Sequence, residues 1–183
     1  FNKISFPDEV ANVITGITQD PQGNIWFSAD GICRYDGVHM KKYVYDRLNP
    51  NSIASNRVEC ILADKKGFIW AGGYGGGLNK LDPKTGIFTH YVHDAKNPNS
   101  ISGDTVTCLL EDKEGMIWIG TDIGGLDRMD PSTGKFQNFK HRDNDPGSLS
   151  FNQVRVLYED KKGDVWIGCG GPFFENQPGH DGG

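Results

Sequence analysis

Residues 110–121 read Leu-Glu-Asp-Lys-Glu-Gly-Met-Ile-Trp-Ile-Gly-Thr, and this stretch sets the pattern for the whole chain. An Asp-x-x-Gly turn, from Asp112 to Gly115, stands just before a tryptophan in a short apolar run. Asp tolerates turn geometry and Gly accepts a positive φ, so the turn predicts a tight hairpin between two strands. The same arrangement precedes every tryptophan of the chain, namely Trp26, Trp70, Trp118 and Trp166. The chain is therefore built from repeats.

The tryptophans define a unit of nearly constant length. Trp70 follows Trp26 by 44 residues, and the next two intervals, to Trp118 and to Trp166, are 48 residues each. Each unit ends in a segment with an aromatic residue, and the next tryptophan always follows that residue by 27 positions; these aromatics are Tyr43, Tyr91 and Phe139. This register predicts units at about 7–46, 47–94, 95–142 and 143–171.

Each unit reads as four short strands. The first, as in 106–111, is apolar at nearly every position, which suits a strand covered on both faces. The second carries the tryptophan, a Gly-rich connection leads to the third, and a turn such as 130–134 leads to the fourth. Four antiparallel strands in roughly 40–50 residues form a propeller blade, and no segment shows the sustained helical period of a helical solenoid. We therefore predict an all-β fold, a single β-propeller of four-stranded antiparallel blades over residues 1–183.

About 3.5 to 4 blades are predicted, because the last unit breaks off. After Gly171 the expected third strand gives way to an atypical tail at 172–183, whereas residues 1–6 resemble an isolated fourth strand. That strand could pair with the last unit and close a minimal four-bladed ring. The pattern favours the other interpretation, a fragment of a larger propeller. Its open edge would then bind the remaining blades or a second copy.

Composition argues against several partners and cofactors. Lys and Arg number 19 against 24 Asp and Glu, and the basic residues are scattered, so no nucleic acid is expected to bind here. No apolar stretch approaches the roughly 20 residues needed to span a bilayer, so we expect no membrane segment in this chain. The cysteines form no CxxC pair and have no His partner at zinc spacing, which argues against a metal. Matching positions in apolar runs predict buried, apolar roles for Cys60 and Cys108.

Motifs of catalysis and of cofactor binding are weak. The Gly-rich stretch 73–77 is followed by a strand and lacks a Lys-Ser/Thr pair, so it does not predict a phosphate loop or a nucleotide cofactor. No Gly-x-Ser-x-Gly elbow supports a serine hydrolase. Paired carboxylates for a glycosidase or lyase stay open, although most repeating acids stand at turn positions. We therefore expect no cofactor, no catalytic residue and no enzymatic activity in this chain.

Candidate ligand contacts lie where the loops between second and third strands meet the crossings between units. Polar and aromatic residues vary there while the surrounding frame repeats, and such residues on a rigid frame suit sugar recognition. Aromatic rings stack on pyranose faces, while amides and carboxylates bond hydroxyl groups. The residues are Asp30, Tyr74 and Asp122 in the loops, and Asn56, Arg57, Asp104 and Asn152 at the starts of the inner strands.

The stretch 110–121, the following Gly-Gly-Leu-Asp-Arg-Met-Asp-Pro at 124–131 and the Asn-Pro-Asn-Ser-Ile linkers at 49–53 and 97–101 resemble the two-component regulator propeller repeat. The resemblance covers residues 1 to about 171. It implies a large periplasmic sensor module of a hybrid histidine kinase, often from gut Bacteroidetes, that detects glycan fragments and switches on polysaccharide-utilisation genes. Kinase and DNA-binding parts would lie beyond this chain. The family normally has many more blades, and the tail after Gly171 departs from its pattern.

These observations leave three functions as hypotheses. The first is an extracytoplasmic, periplasmic sensor module of a two-component system that responds to oligosaccharides. The second is a propeller-type polysaccharide lyase or another carbohydrate-active enzyme, which would need a clustered site that the repeat does not display. The third is a scaffold for protein partners.

Overall fold

The structure, a computed structural model, describes residues 13–170. Within that range it holds fourteen strands and no helix, arranged as three four-stranded antiparallel sheets and one two-stranded sheet. Blade 1 comprises β1 (Ile17–Gln19), β2 (Ile25–Ser28), β3 (Ile32–Tyr35) and β4 (Met40–Tyr43); blade 2 comprises β5 (Val58–Ala63), β6 (Ile69–Gly73), β7 (Leu78–Asp82) and β8 (Ile87–Tyr91). Blade 3 comprises β9 (Val106–Glu111), β10 (Ile117–Thr121), β11 (Leu126–Asp130) and β12 (Lys135–Phe139), and half-blade 4 comprises β13 (Val154–Glu159) and β14 (Val165–Cys169).

In every blade the strands follow one another in chain order, so each is a simple antiparallel meander. The predicted all-β class and the four-stranded blade are confirmed. The opening segment 1–6, which resembles an isolated fourth strand, and the atypical tail 172–183 lie outside the described residues. Across residues 13–170 there is no helix long and apolar enough to cross a membrane.

The aspartate of each Asp-x-x-Gly turn binds both the turn and the tryptophan. In blade 2 one carboxylate oxygen of Asp64 accepts the backbone N–H groups of Lys66 and Phe68, and the other accepts the Trp70 indole N–H at 2.8 Å. The Gly of the turn has positive φ, for example 87° at Gly67, as predicted. The same aspartate–indole bond recurs in the other units, from Trp26 to Asp20 at 2.8 Å, from Trp118 to Asp112 at 2.8 Å and from Trp166 to Asp160 at 3.3 Å.

The bound indole then fills the space between neighbouring blades. Trp26 stacks on Tyr43 with ring centroids 5.7 Å apart, and the two pack with residues of blade 2 such as Ile69 and Phe88. Trp70 stacks on Tyr91 at 6.0 Å and packs in the same way against blade 3. Trp26 and Trp70 therefore occupy one repeated position, at the interface between blades 1 and 2 and at the interface between blades 2 and 3.

The environments of the last two tryptophans differ from those of Trp26 and Trp70. Trp118 lies next to half-blade 4, and Trp166 belongs to half-blade 4. Trp118 stacks on Phe139 at 5.9 Å, but it is only half-buried and borders a cleft of about 340 Å³. Trp166 keeps its aspartate bond yet is 64% exposed, because half-blade 4 has only its two inner strands among the described residues. The tryptophan environment therefore depends on the next blade as well as on its own.

A glycine sets how closely the blades approach one another. A Cβ atom placed on Gly72 would lie 2.5 Å from the Val106 side chain, which belongs to the inner strand of the next blade. Overpacking at such a contact is costly. Gly120 has the same environment in blade 3, where a Cβ would collide with Cys108 and Val154. The small residue in the second strand is thus required by packing.

Candidate functional site

The predicted contact residues lie at one end of the blades, which we call the rim. Each loop between second and third strands is bonded there to the start of the following inner strand. Gly31 donates its backbone N–H to Asn56 O at 2.8 Å, and the same bond joins Gly77 to Asp104 and Gly125 to Asn152 at 3.0 Å each. These repeated bonds hold adjacent blades together and make the rim a fixed frame.

The side chains of three predicted residues also form hydrogen bonds that stabilise the rim. Asn56 accepts the Tyr45 backbone N–H at 2.7 Å, and Asp104 and Asn152 accept the equivalent N–H groups of His93 and His141 at 2.7 and 2.8 Å. These hydrogen bonds, which the sequence analysis did not predict, connect the end of each fourth strand to the next blade. A ligand would meet side chains whose acceptor oxygens already serve the fold.

Asp30 has its described side-chain contact inside blade 1. Its backbone has a positive φ of 50°, unusual for a residue other than glycine, at the tight connection between β2 and β3. Its carboxylate lies 3.4 Å from the Lys42 ammonium. Counted from the tryptophan to the start of the third strand, the connection in blade 1 is two residues shorter than in blades 2 and 3. Blade 1 therefore has a short turn with Asp30 where blade 2 has a longer loop with Tyr74.

Tyr74 and Arg57 form a stacked pair at the rim of blade 2. The guanidinium carbon of Arg57 lies 4.5 Å from the centroid of the Tyr74 ring, within the range of a cation–π contact. The Tyr74 backbone N–H donates to Arg57 O at 3.0 Å, which fixes the loop against the inner strand. Even so, the tyrosine side chain remains 45% exposed, so a flat apolar surface is available to a ligand.

Asp122 forms an ion pair with Arg155 beside this tyrosine. The carboxylate lies 3.1 Å from the guanidinium, which reaches across from half-blade 4, and the Asp122 backbone N–H donates to Thr105 O. Tyr74, Asp122 and Arg155 line one cleft of about 150 Å³, together with Glu59, Thr105, Val106 and Thr107. We call this the rim cleft. It contains residues from three successive units.

The structure thus brings Tyr74 and Asp122 together and adds two charged residues that sequence reasoning missed. Glu59 in blade 2 and Arg155 in half-blade 4 occupy the same position of their inner strands, one residue after the buried Val58 and Val154. At this position in blade 3, the Thr107 hydroxyl donates to Val154 O at 2.5 Å. The available signal was a polar position inside an otherwise apolar strand.

The rim cleft suits recognition of a polyhydroxyl ligand. Its carboxylates accept hydrogen bonds, its guanidinium donates them in a fixed fork, and its tyrosine offers an aromatic face. A few convergent polar groups on a preformed surface are typical of small-ligand sites. In the part of the chain that the structure describes, no group of three or more His, Cys, Asp or Glu side chains is placed to hold a metal ion.

The cysteines take no part in this site. Cys60 packs against the apolar cluster between blades 2 and 3, in agreement with its predicted role. Burial raises the pKa of the Cys60 thiol, and it raises the pKa of Cys108 to about 11. Both thiols are therefore protonated at neutral pH and unreactive as nucleophiles.

The sequence model of the two component regulator propeller matches this chain four times, at residues 8–31, 52–75, 100–122 and 148–171. The matches recur once in each unit, and together they cover slightly more than half of the 183 residues. No curated protein sequence matches the chain.

Solved structures with the same architecture are similar at low identity. The extracellular domain of a protein described as a hybrid two component system from B. thetaiotaomicron is 23% identical, with a TM-score of 0.68, over 87% of this chain and 28% of that one. A catalytically inactive virginiamycin B lyase from Staphylococcus aureus with quinupristin is 18% identical, with a TM-score of 0.65, over 88% of this chain and 50% of that one. PorZ, a surface component of the type-IX secretion system of Porphyromonas gingivalis, is 16% identical, with a TM-score of 0.60, over 87% and 24%. These similarities confirm the propeller fold, and the chain spans less than a third of the first of these structures.

Proposed function

This chain belongs to the two component regulator propeller family, and from that premise we propose that it is part of an extracytoplasmic sensor module that binds an oligosaccharide at the rim cleft. The full-length protein would resemble a hybrid histidine kinase, with the kinase and DNA-binding parts outside this chain and the propeller in the periplasm. The similar domain from B. thetaiotaomicron is described as extracellular, which supports this location. The propeller would bind and report, without a catalytic step of its own.

The arrangement around Tyr74 is the single observation that carries the proposal. A pyranose ring has apolar C–H faces and a rim of hydroxyl groups, so it needs a flat apolar surface next to hydrogen-bonding groups. Tyr74 supplies that surface, and it is held in place by the stacked Arg57 at 4.5 Å. Asp122 and Arg155, 3.1 Å apart, supply an acceptor and a donor at the same cleft. The site is therefore preorganised, which lowers the entropic cost of binding.

Differences in side chains between the units distinguish this cleft from the equivalent places on the other blades. Tyr74, Asp122 and Gly170 occupy one repeated position, as their identical backbone bonds to Arg57, Thr105 and Gln153 show. A ligand at the rim therefore meets a different side chain on each blade while the backbone stays constant. Variable side chains on a rigid frame are typical of binding surfaces.

Calorimetry tests the proposal directly. The chain is titrated with a panel of neutral and uronate-containing oligosaccharides, and Tyr74→Ala is titrated beside it. Loss of the stacking surface is expected to weaken binding by about tenfold, which corresponds to about 1.4 kcal/mol. Tyr45→Ala is the matched control, because Tyr45 is similarly exposed but does not line the cleft. Equal binding by the wild-type chain and Tyr74→Ala would contradict the proposed site.

An assay of the same mixtures for new unsaturated sugar ends separates a sensor from an enzyme. The fold similarity to virginiamycin B lyase makes a lyase the second candidate. Binding without new ends supports the sensor, whereas time-dependent formation of unsaturated ends would establish the lyase. If no sugar binds but a protein partner is captured at the rim, the scaffold hypothesis replaces both.

A further inference from the structure

A second cleft lies between blades 1 and 2, at the end of the blades opposite the rim. The hairpin turns between first and second strands and the turn between β7 and β8 meet there. The cleft has a volume of about 540 Å³, against about 150 Å³ for the rim cleft. We call it the turn cleft, and its cations are Arg34 of blade 1 and Lys66 and Lys84 of blade 2. Both walls are four-stranded blades that pack directly against each other, so no further blade can lie between them.

Arg34 has an exact counterpart in blade 3. It is the cross-strand partner of Trp26, as Arg128 is the partner of Trp118. Both guanidinium groups lie over the indole ring, at 5.9 and 5.4 Å from the centroid. In blade 3 the Arg128 guanidinium also donates to two carboxylates of its own blade, those of Glu114 and Asp112. The arginine at this position therefore has a carboxylate-binding geometry.

Blade 1 keeps the arginine but provides neither carboxylate. Gln22 stands where blade 3 has Glu114, so an amide replaces the acid. The Asn24 amide donates to Asp20 at 2.7 Å and accepts from Arg34 at 3.1 Å, so it lies between the guanidinium and that carboxylate. Among residues 13–170 no acidic side chain forms an ion pair with Arg34. A half-buried guanidinium without a counter-charge favours an anion from outside.

Blade 2 adds two ammonium groups to the same cleft. The backbone N–H groups of Lys66 and Lys84 donate to the side chains of Asp64 and Asp82, at 3.0 and 2.9 Å, so both turns are fixed. In the part of the chain that the structure describes, neither ammonium has a hydrogen-bond or ion-pair partner. Cations of one sign around a concave surface attract and concentrate anions.

Two acids also line the turn cleft. Asp20 is buried, and its carboxylate already accepts N–H groups from Gln22, Asn24 and Trp26. Asp82 is half-buried and binds the turn through the Lys84 N–H, which leaves its charge facing the cleft. Three cations against two acids leave the lining positive, and Asp82 is the acid that opposes an incoming anion.

We propose that the turn cleft binds a compact polycarboxylate, with one carboxylate on Arg34 in the place that Glu114 takes on Arg128. The guanidinium fork matches a planar carboxylate, and Lys66 and Lys84 bind further carboxylates as point charges. Several carboxylates are required because a single exposed ion pair contributes only about 0.2–1 kcal/mol. This site is separate from the rim cleft and does not depend on sugar binding there.

An NMR titration of the ¹⁵N-labelled chain with tricarballylate, at constant ionic strength, tests the site. We expect saturable shifts of the amide signals in turns 22–24, 66–68 and 84–86, with a dissociation constant of about 1 mM. Acetate and glucuronate carry one carboxylate each and should give no saturable shift at the same concentrations. Tyr74→Ala should bind tricarballylate like the wild-type chain, since Tyr74 lies at the rim, so this proposal and the proposed sugar site can fail separately.

Gln22→Glu tests the site through the internal comparison. The new carboxylate is expected to bind Arg34 as Glu114 binds Arg128, and so to compete with the ligand and raise the dissociation constant about tenfold. Urea unfolding should show that this variant is at least as stable as the wild-type chain. Gln137→Glu is the matched control, because it makes the same change at an exposed position of β12, outside the cleft.

Asp82→Asn tests the site in the opposite direction. The asparagine oxygen can still accept the Lys84 N–H, but the opposing charge is gone. The dissociation constant for tricarballylate should fall about threefold, a gain that misfolding cannot mimic. Absence of saturable shifts at the three turns, equal binding of acetate and tricarballylate, or unchanged affinity in Gln22→Glu would overturn the proposal.

Discussion

At the scale of the single residue, the aspartate before each tryptophan links the hairpin turn to the blade interface. In blade 1 the Asp20 carboxylate accepts the backbone N–H groups of Gln22 and Asn24 and the indole N–H of Trp26. Burial by itself raises the pKa of Asp20, but the bonds from Trp26 and Asn24 outweigh it, and the pKa lies below its usual value. The carboxylate is therefore charged in the folded protein at neutral pH, and its bonds are charge-assisted.

We predict that Asp20→Ala lowers the free energy of unfolding by about 3 kcal/mol at neutral pH, because a buried indole N–H loses its partner together with the bonds of the turn. Urea unfolding measures the change. Asp160→Ala is the control, since Trp166 is exposed and water can replace the lost acceptor, so its loss should be much smaller. Equal losses in the two variants would contradict the role assigned to the buried bond.

The free energy of unfolding that Asp20→Ala loses depends on pH in a definite direction. The unfolded pKa of an aspartate is about 3.9 and the folded pKa of Asp20 is lower, so its stabilisation is complete above about pH 4. It is lost as the pH falls through the folded pKa. The difference between the wild-type chain and Asp20→Ala should therefore shrink in acid.

Asp127 shows the opposite behaviour. It is fully buried in blade 3, where it accepts the backbone N–H and the hydroxyl of Ser102 and the amide of Asn138. Burial raises the pKa of its carboxyl above the usual value despite these bonds. Blade 2 has Asn79 at the equivalent position, where it binds the corresponding Ala54 N–H.

We predict that Asp127→Asn stabilises the chain at pH 7 and has little effect near pH 3. Because the folded pKa exceeds the unfolded value, ionisation destabilises the folded protein increasingly as the pH rises from about 4 through the folded pKa. An amide cannot ionise and so avoids this cost. Thermal unfolding of both proteins across this pH range checks the prediction, and destabilisation at pH 7 would refute it.

At the scale of the element, a pair of hydrogen bonds that we call the lysine latch couples a turn in one blade to a strand in the next. The Lys65 backbone N–H donates to the Glu111 carboxylate at 2.9 Å, and the Lys65 ammonium donates to Asp112 O at 2.7 Å. Lys65 binds Glu111 in this way, but the equivalent turn residue in blade 1 is Pro21, which has no backbone N–H to donate. Its partner position in blade 2 carries Ala63 in place of a glutamate. Donor and acceptor are thus present together or absent together.

A double-mutant cycle on Pro21→Lys and Ala63→Glu tests this coupling. Glutamate alone introduces a carboxylate that Pro21 cannot satisfy, whereas the double variant recreates the latch of blades 2 and 3. We expect a favourable coupling energy of about 1 kcal/mol, typical of a hydrogen-bonded pair. Urea unfolding of the four proteins measures it, and strictly additive effects would show that the latch does not stabilise the interface.

At the scale of the whole molecule, the sequence predicts the blade well because a blade is a local unit. Strands, turns and the tryptophan slot can be derived from spacing within each repeat. The aspartate–indole bond was missed although its partners are only six residues apart, because it depends on the geometry of the hairpin. The lysine latch joins residues 46 apart in different blades, so it requires the register between sheets.

The candidate site could be predicted only in part, for the same reason. Tyr74 and Asp122 were found as variable residues in equivalent loops, and the structure places both at the rim cleft. Glu59 and Arg155 were missed because a polar residue in an inner strand becomes visible as a cleft residue only once three units are packed together. The role of Tyr74 and Asp122 as ligand contacts stays a prediction.

The proposed sensor is a rigid array of blades that presents one rim cleft to a sugar. Hydrogen exchange measured by mass spectrometry, with and without the oligosaccharide that gives the largest calorimetric heat, locates the contact on the array. Binding at the rim cleft is expected to increase protection in peptides covering 55–59, 72–76, 104–107 and 120–124, and to leave protection unchanged at the opposite hairpin turns 64–67 and 112–115. Protection confined to those turns, or spread evenly over the chain, would contradict it.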